Sequence, residues 1–142
     1  MAGPPRPVVA RVGATMAEGR ARVLVADDEG SLRELLVEAL LESGCEVVAV
    51  GDGREALRLL LGAGPYDLVV LDEEMPGLSG RRVLTAARSA GLDVPAILWS
   101  GSLELDDGER AALGVSSFLR KPVAIEVLHE AIRLALGRPP VG

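Results

Sequence analysis

Tyr66-Asp67-Leu68-Val69-Val70-Leu71-Asp72 is an apolar run with a carboxylate at its end. Consecutive branched residues without polar alternation predict a strand covered on both faces, since a strand with one wet face alternates. Asp72 marks the point where that strand leaves the core. Pro76 and Gly77 then make a loop, and a helix is predicted from about Ser79 to Ala90.

Reading outward, the same alternation repeats on both sides. Upstream, Val23 to Ala26 is an apolar run ending in Asp27-Asp28-Glu29-Gly30. Ser31 stands three residues before Glu34, the spacing of a capping box, and Leu32, Leu35, Leu36, Ala39 and Leu40 follow at helical spacing. Gly44 suits the residue just past that helix. Cys45 to Val50 is the second run, expected at a sheet edge. Asp52 and Glu55 repeat the capping spacing, Leu57, Leu60 and Leu61 give an apolar stripe, and Gly62 or Gly64 closes the helix.

Downstream, Ala96-Ile97-Leu98-Trp99 ends at Ser100. Leu103 to Leu113 is acidic, carries Gly108 and gives a weak helical signal. Val115 to Leu119 is the fifth run, followed by Lys121, and Pro122 is expected in the first turn of the last helix. Ile125, Leu128, Ile132 and Ala135 form its apolar face, and Gly137 and Pro139 stop it. Five strands alternating with five helices predict an α/β fold, a parallel sheet with helices on both faces.

Composition bounds the rest. The chain has 142 residues, 49 % of them hydrophobic and 2 % aromatic, so one domain is expected, with an aliphatic core. Residues 1–20, rich in Gly, Pro, Ala and Arg, are expected to be a disordered extension, with Met16 an alternative start to Met1. Residues 21–137 form the domain and 138–142 a short tail. The net charge of −6 and the lack of a Lys/Arg cluster in 21–137 argue against direct nucleic-acid binding. Cys45 is the single cysteine, expected as a core hydrophobe. With no apolar stretch of membrane-spanning length and no signal-peptide pattern, a cytoplasmic protein that does not contact membranes is expected.

In open α/β sheets the site lies beyond the carboxyl ends of the strands. Here those ends carry Asp27 and Asp28, Asp72, Ser100 and Lys121. Each alone is ordinary: a helix-start residue, a turn residue, a hydroxyl before Gly101, a solvated charge before a proline. Together they would gather three carboxylates, a hydroxyl and an ammonium at one rim. Two like charges about 4 Å apart cost roughly 4 kcal/mol at an effective dielectric of 20, so the cluster calls for counter-charge. Lys121 supplies one, and a divalent cation with oxygen ligands, Mg²⁺, Mn²⁺ or Ca²⁺, would supply the rest. An aspartate beside such a metal, a hydroxyl and a lysine suits phosphoryl transfer, the carboxylate acting as nucleophile.

At this point the sequence resembles the receiver domain of bacterial response regulators, in particular chemotaxis-type single-domain regulators. Val-Ala-Asp27-Asp28-Glu29, Leu-Val-Val-Leu-Asp72-Glu-Glu-Met75-Pro76-Gly-Leu-Ser-Gly80, Ile-Leu-Trp-Ser100-Gly101 and Phe118-Leu-Arg-Lys121-Pro122 carry the resemblance, which covers roughly 22–136. It implies a flavodoxin-like doubly wound sheet of five parallel strands in the order 2-1-3-4-5. It also implies Asp72 as phosphoacceptor, Asp28 as direct Mg²⁺ ligand, Asp27 acting through a metal-bound water, and the Glu74 backbone carbonyl completing the coordination. Ser100 would bind the phosphoryl group and move on activation, Lys121 would pair with a phosphoryl oxygen, and Phe118 would be the switch aromatic. Partners would be a sensor histidine kinase or phosphotransfer protein and an effector protein, met through the last two helices and the strand between them.

The sequence departs from the commonest pattern in Ser100, where threonine is most frequent, in Glu74, in Trp99 and in Val123. The function expected is that of a stand-alone receiver in two-component signalling, a phosphoprotein that assists its own phosphorylation and dephosphorylation and is not an enzyme. The rival readings are a phosphorylation-independent receiver-like adaptor and an aspartate-nucleophile phosphatase. The phosphatase fits poorly, because Glu74 stands where such enzymes carry a second aspartate and nothing reads as a cap domain.

Overall fold

Six strands and five helices make up the computed structural model, which describes residues 8–10, 20–62, 64–102 and 104–137, the first of these by backbone alone. The elements are β1 (Val8–Ala10), β2 (Arg22–Ala26), α1 (Gly30–Glu42), β3 (Glu46–Val50), α2 (Gly53–Gly62), β4 (Leu68–Asp72), α3 (Gly80–Ser89), β5 (Ala96–Ser100), α4 (Asp107–Leu113), β6 (Val115–Arg120) and α5 (Ile125–Ala135). The sheet order is β1-β3-β2-β4-β5-β6. Numbered by themselves, the five parallel strands run 2-1-3-4-5, as expected.

The apolar runs behave as doubly covered strands because successive side chains enter opposite faces. Val23, Val25, Val47, Val70, Ile97 and Trp99 meet α1 and α5 on one side, with Cys45 fully buried among them. Leu24, Val48, Val50, Val69, Leu71 and Leu98 form the other core with residues of α2 and α3. Among the described residues no helix is long and apolar enough to cross a membrane.

Several elements differ from the sequence expectation. Composition predicts disorder for residues 1–20, yet Val8–Ala10 pairs antiparallel with β3, Val9 opposite Val48. The outer edge of β3 would otherwise present unpaired N–H and C=O groups, and a β-branched pair suits it. The Cys45–Val50 run is thus the edge of the parallel sheet but not of the whole sheet. The remainder of 1–20, apart from Arg20, and the 138–142 tail lie outside the described residues.

The Ser31/Glu34 capping box does not form. α1 starts two residues earlier, after Glu29, because the Asp27 carboxylate takes the Glu29 N–H at 2.8 Å and turns the chain into the helix there. Ser31 instead donates to the Glu29 carboxylate at 3.2 Å. Asp52 does cap α2, accepting the Glu55 N–H at 2.8 Å, while the Glu55 carboxylate turns to Arg58. α4 begins at Asp107, later than expected, because Asp106 and Glu109 form a capping box that fixes its first turn. Pro122 is not in α5, which starts at Ile125, and the Lys121–Pro122 peptide is cis.

Arg88 ties three of these pieces together. Its guanidinium donates to the carbonyls of Leu92 (3.1 Å), Val94 (2.7 Å), Leu113 (2.7 Å) and Gly114 (3.2 Å). One side chain thereby holds the end of α3, the approach to β5 and the turn between α4 and β6.

Candidate functional site

The parallel ladder continues past the strand ends and sets the rim. Asp27 N–H donates to Val50 O (3.2 Å), Glu73 N–H to Trp99 O (2.8 Å) and Lys121 N–H to Ser100 O (2.8 Å). Asp72, the last residue of β4, stands opposite Trp99, and Ser100 stands opposite Arg120. Backbone pairing alone therefore levels the residues that the sequence marks.

The three aspartates do converge. Carboxylate oxygens of Asp27, Asp28 and Asp72 lie within 4.8 Å of one another, with Asp27 and Asp72 buried and Asp28 exposed. Lys121 Nζ is 2.9 Å from Asp72 Oδ1 and 3.8 Å from Asp27 Oδ2. The ammonium also lies over the Trp99 ring, 4.8 Å from its centroid, which gives the unusual tryptophan a role: its face adds a cation–π contact that steadies the lysine head.

The charges are uncomfortable in this arrangement. Burial, aided by the neighbouring Asp72 and Asp28, pushes the Asp27 carboxyl up to about 6, against the Glu29 N–H bond and Lys121. Burial also raises Asp72, opposed by the Lys121 ion pair and by the Glu74 N–H, which donates to Asp72 Oδ1 at 3.1 Å. For Lys121, burial acts to lower the ammonium, but Asp72 and Asp27 outweigh it and hold it above its ordinary value. Among the described residues Asp27 Oδ2 is buried without a hydrogen-bond partner. An orphaned carboxylate oxygen inside an all-oxygen cluster fits a hard divalent cation.

Two glutamates carry more of the local structure than their sequence context suggests. Glu73 Oε1 accepts the Arg81 N–H at 2.7 Å, anchoring the start of α3, and burial raises its carboxyl. Glu74 does something else. Ser100 Oγ donates to Glu74 Oε2 at 2.5 Å and the Gly101 N–H donates to Glu74 Oε1 at 2.7 Å. No spacing rule signals either contact, because both depend on how the β4–α3 loop folds over the rim. Arg33, also not anticipated, donates to the Asp27 carbonyl at 2.7 Å.

Gly80 lets this rim close. A Cβ there would stand 2.5 Å from the Asp72 carbonyl oxygen and 2.7 Å from Leu98 Cδ1, so only glycine allows α3 to press on the end of β4. Phe118 is half-buried on β6, opposite Leu98, and packs against the α2–α3 core. It shares the sheet face of Leu98 and Ser100 by strand alternation, but Ser100 itself is engaged with Glu74.

The comparisons with known proteins agree with this geometry. The profile of the response regulator receiver domain matches residues 23–133. Response regulator MprA of Mycolicibacterium vanbaalenii is 39 % identical over 120 residues, covering 82 % of this chain and 51 % of the relative. Transcriptional regulatory protein DltR of Streptococcus agalactiae is 38 % identical over 114 residues, 80 % of this chain and 50 % of the relative. The chain thus spans about half the length of these curated relatives. Among solved structures, the Francisella response regulator 1452 receiver domain superposes with a TM-score of 0.75 at 29 % identity, covering 83 % of this chain and 98 % of that one. Chemotaxis protein CheY4 of Vibrio cholerae gives a TM-score of 0.74 at 28 % identity, covering 83 % of this chain and all (100 %) of that one. With its strand order, its rim of aspartates and this match, the chain belongs to the response regulator receiver domain family.

Proposed function

We propose that this receiver accepts a phosphoryl group on Asp72 from a sensor histidine kinase or phosphotransfer protein, in a Mg²⁺-dependent reaction. The observation that carries the reading is the buried Asp72 carboxylate, held by Lys121 at 2.9 Å within a cluster of three aspartates. A carboxylate oxygen of Asp72 would form the new O–P bond as the P–N bond of the donor's phosphohistidine breaks, its electron pair returning to the imidazole. Lys121 then faces the phosphoryl oxygens, where its charge offsets theirs.

Asp27, Asp28 and Asp72 would hold the metal, with the Glu74 backbone carbonyl as a further ligand. When bound, Mg²⁺ would neutralise charge on the transferred oxygens. The protein's own share is to keep Asp72 desolvated and oriented, through the Glu74 N–H and Lys121, and to keep Ser100 at the adjacent strand end. In this reading the domain is a phosphoacceptor that assists gain and loss of its phosphoryl group, not a turnover enzyme.

Output, in the same proposal, runs through contact with another protein, independently of any attached segment. The net charge of −6 over the 142 residues makes the chain a poor nucleic-acid surface. Relatives named transcriptional regulators match this chain over only about half of their own length, so the mass of the natively expressed protein bears directly on how output is delivered.

The test is intact-protein mass spectrometry after incubation with a small acyl phosphate and Mg²⁺. One added phosphoryl group, labile to hydroxylamine and absent with EDTA or in Asp72→Asn, is expected. An unmodified protein that also ignores beryllofluoride would instead support the phosphorylation-independent adaptor.

A further inference from the structure

We propose that the Glu74 side chain is an internal competitor for the phosphoryl-binding donors of this receiver. The inference rests on the reading of Asp72 as phosphoacceptor and adds a residue that sets how readily the site accepts the group. The two donors at the end of β5 are the Ser100 hydroxyl and the Gly101 N–H. Both already hold the Glu74 carboxylate, one oxygen each, at 2.5 Å and 2.7 Å. The Ser102 N–H closes on Ser100 Oγ at 3.0 Å, so the hydroxyl's proton is directed at Glu74.

Chemically, a carboxylate across these two donors does what two oxygens of a phosphoryl group would do there. Hydrogen bonds to an ionised acceptor are the stronger kind, so the bridge competes on comparable terms. It also places a further negative charge beside Asp72, one that acts with burial to raise that carboxyl. An incoming phosphoryl group must displace Glu74 before Ser100 can reach it. The backbone of Glu74 is fixed by its N–H bond to Asp72, whereas the side chain is solvent-exposed and free to swing outward.

A binding-competent state that must first break this bridge lowers apparent affinity by the fraction of molecules in which the bridge is open. Two charge-assisted bonds, offset by rehydration of the carboxylate, correspond to about a tenfold effect. The contact also holds Ser100 through Glu74 in the unphosphorylated protein, so the same bridge opposes movement of the hydroxyl.

The experiment uses beryllofluoride with saturating Mg²⁺, read through Trp99, the single tryptophan, which lies under Lys121. Wild type, Glu74→Ala and Glu74→Asp are titrated side by side. Glu74→Asp keeps the charge but lacks one methylene and cannot span to both donors. The expected result is half-saturation at about tenfold lower beryllofluoride in Glu74→Ala, with Glu74→Asp shifted in the same direction. Unchanged or weaker binding by Glu74→Ala overturns the inference. A tighter Glu74→Ala beside a Glu74→Asp that matches wild type also overturns it, because charge rather than the bridge would then account for the gain. No response from any of the three overturns the phosphoacceptor reading itself, and the competitor falls with it.

Discussion

Replacing Asp27 by asparagine is expected to stabilise the metal-free protein at neutral pH and to leave it unchanged in acid. The Asp27 carboxyl stands at about 6 in the fold against an ordinary 3.8, chiefly because it is buried and secondarily because Asp72 and Asp28 adjoin it. Between those two values the folded protein keeps a proton that the unfolded chain has released. Stability therefore falls as pH rises through that window, and above about pH 6 the full cost of the buried charge is present. At 1.36 kcal/mol per pH unit the ceiling is about 3 kcal/mol, and solvent screening at the open rim reduces it to about 1–2 kcal/mol. The amide introduced by Asp27→Asn keeps an acceptor for the Glu29 N–H and carries no charge. In EDTA at pH 7 the variant's melting midpoint should exceed that of wild type by about 3–6 °C, and the gap should close near pH 4. Saturating Mg²⁺ should narrow the gap at pH 7 by stabilising wild type more. Parallel stability curves across that range, or a less stable variant at pH 7, would refute the reasoning.

Three further perturbations test separate parts of the account. Asp72→Asn should stabilise the metal-free protein by about 1 kcal/mol, since the raised carboxyl means that burial and repulsion outweigh its Lys121 pair; melts in EDTA measure this. Gly80→Ala forces a methyl against the Asp72 carbonyl oxygen and Leu98, and should cost about 1–3 kcal/mol in urea unfolding while slowing phosphoryl uptake. Arg88→Met leaves the carbonyls of Leu92, Val94, Leu113 and Gly114 without their donor, for a loss of about 1–3 kcal/mol, and faster amide exchange should localise to the α4–β6 turn.

What the sequence makes legible follows from which forces are local. The five parallel strands are continuous apolar runs, so burial on both faces announces them, and the residues ending those runs fall on one rim by topology. Asp27, Asp28, Asp72, Ser100 and Lys121 can be singled out on that ground alone. β1 cannot, because Val8-Val9-Ala10 is short and sits in a segment rich in Gly, Pro and Arg; only the open edge of β3 gives it a partner. Ser31 and Glu34 have the right spacing for a cap, yet the Asp27 carboxylate takes the backbone N–H that sets the helix start. Glu74 shows the same limit at the site. Its spacing from Asp72 places it at the mouth, but its bridge to Ser100 and Gly101 spans 26 and 27 residues and exists only once β4 and β5 are paired.

The most direct measurement is the location of the phosphoryl group. Protein incubated with a small acyl phosphate and Mg²⁺ is reduced with borohydride, which converts an aspartyl phosphate to homoserine, and the peptides are sequenced by tandem mass spectrometry. Homoserine in place of Asp72 alone, dependent on Mg²⁺, is the expected result. Homoserine in place of Asp27 or Asp28, or a borohydride-resistant adduct on Ser100, would contradict the assignment of Asp72 as phosphoacceptor.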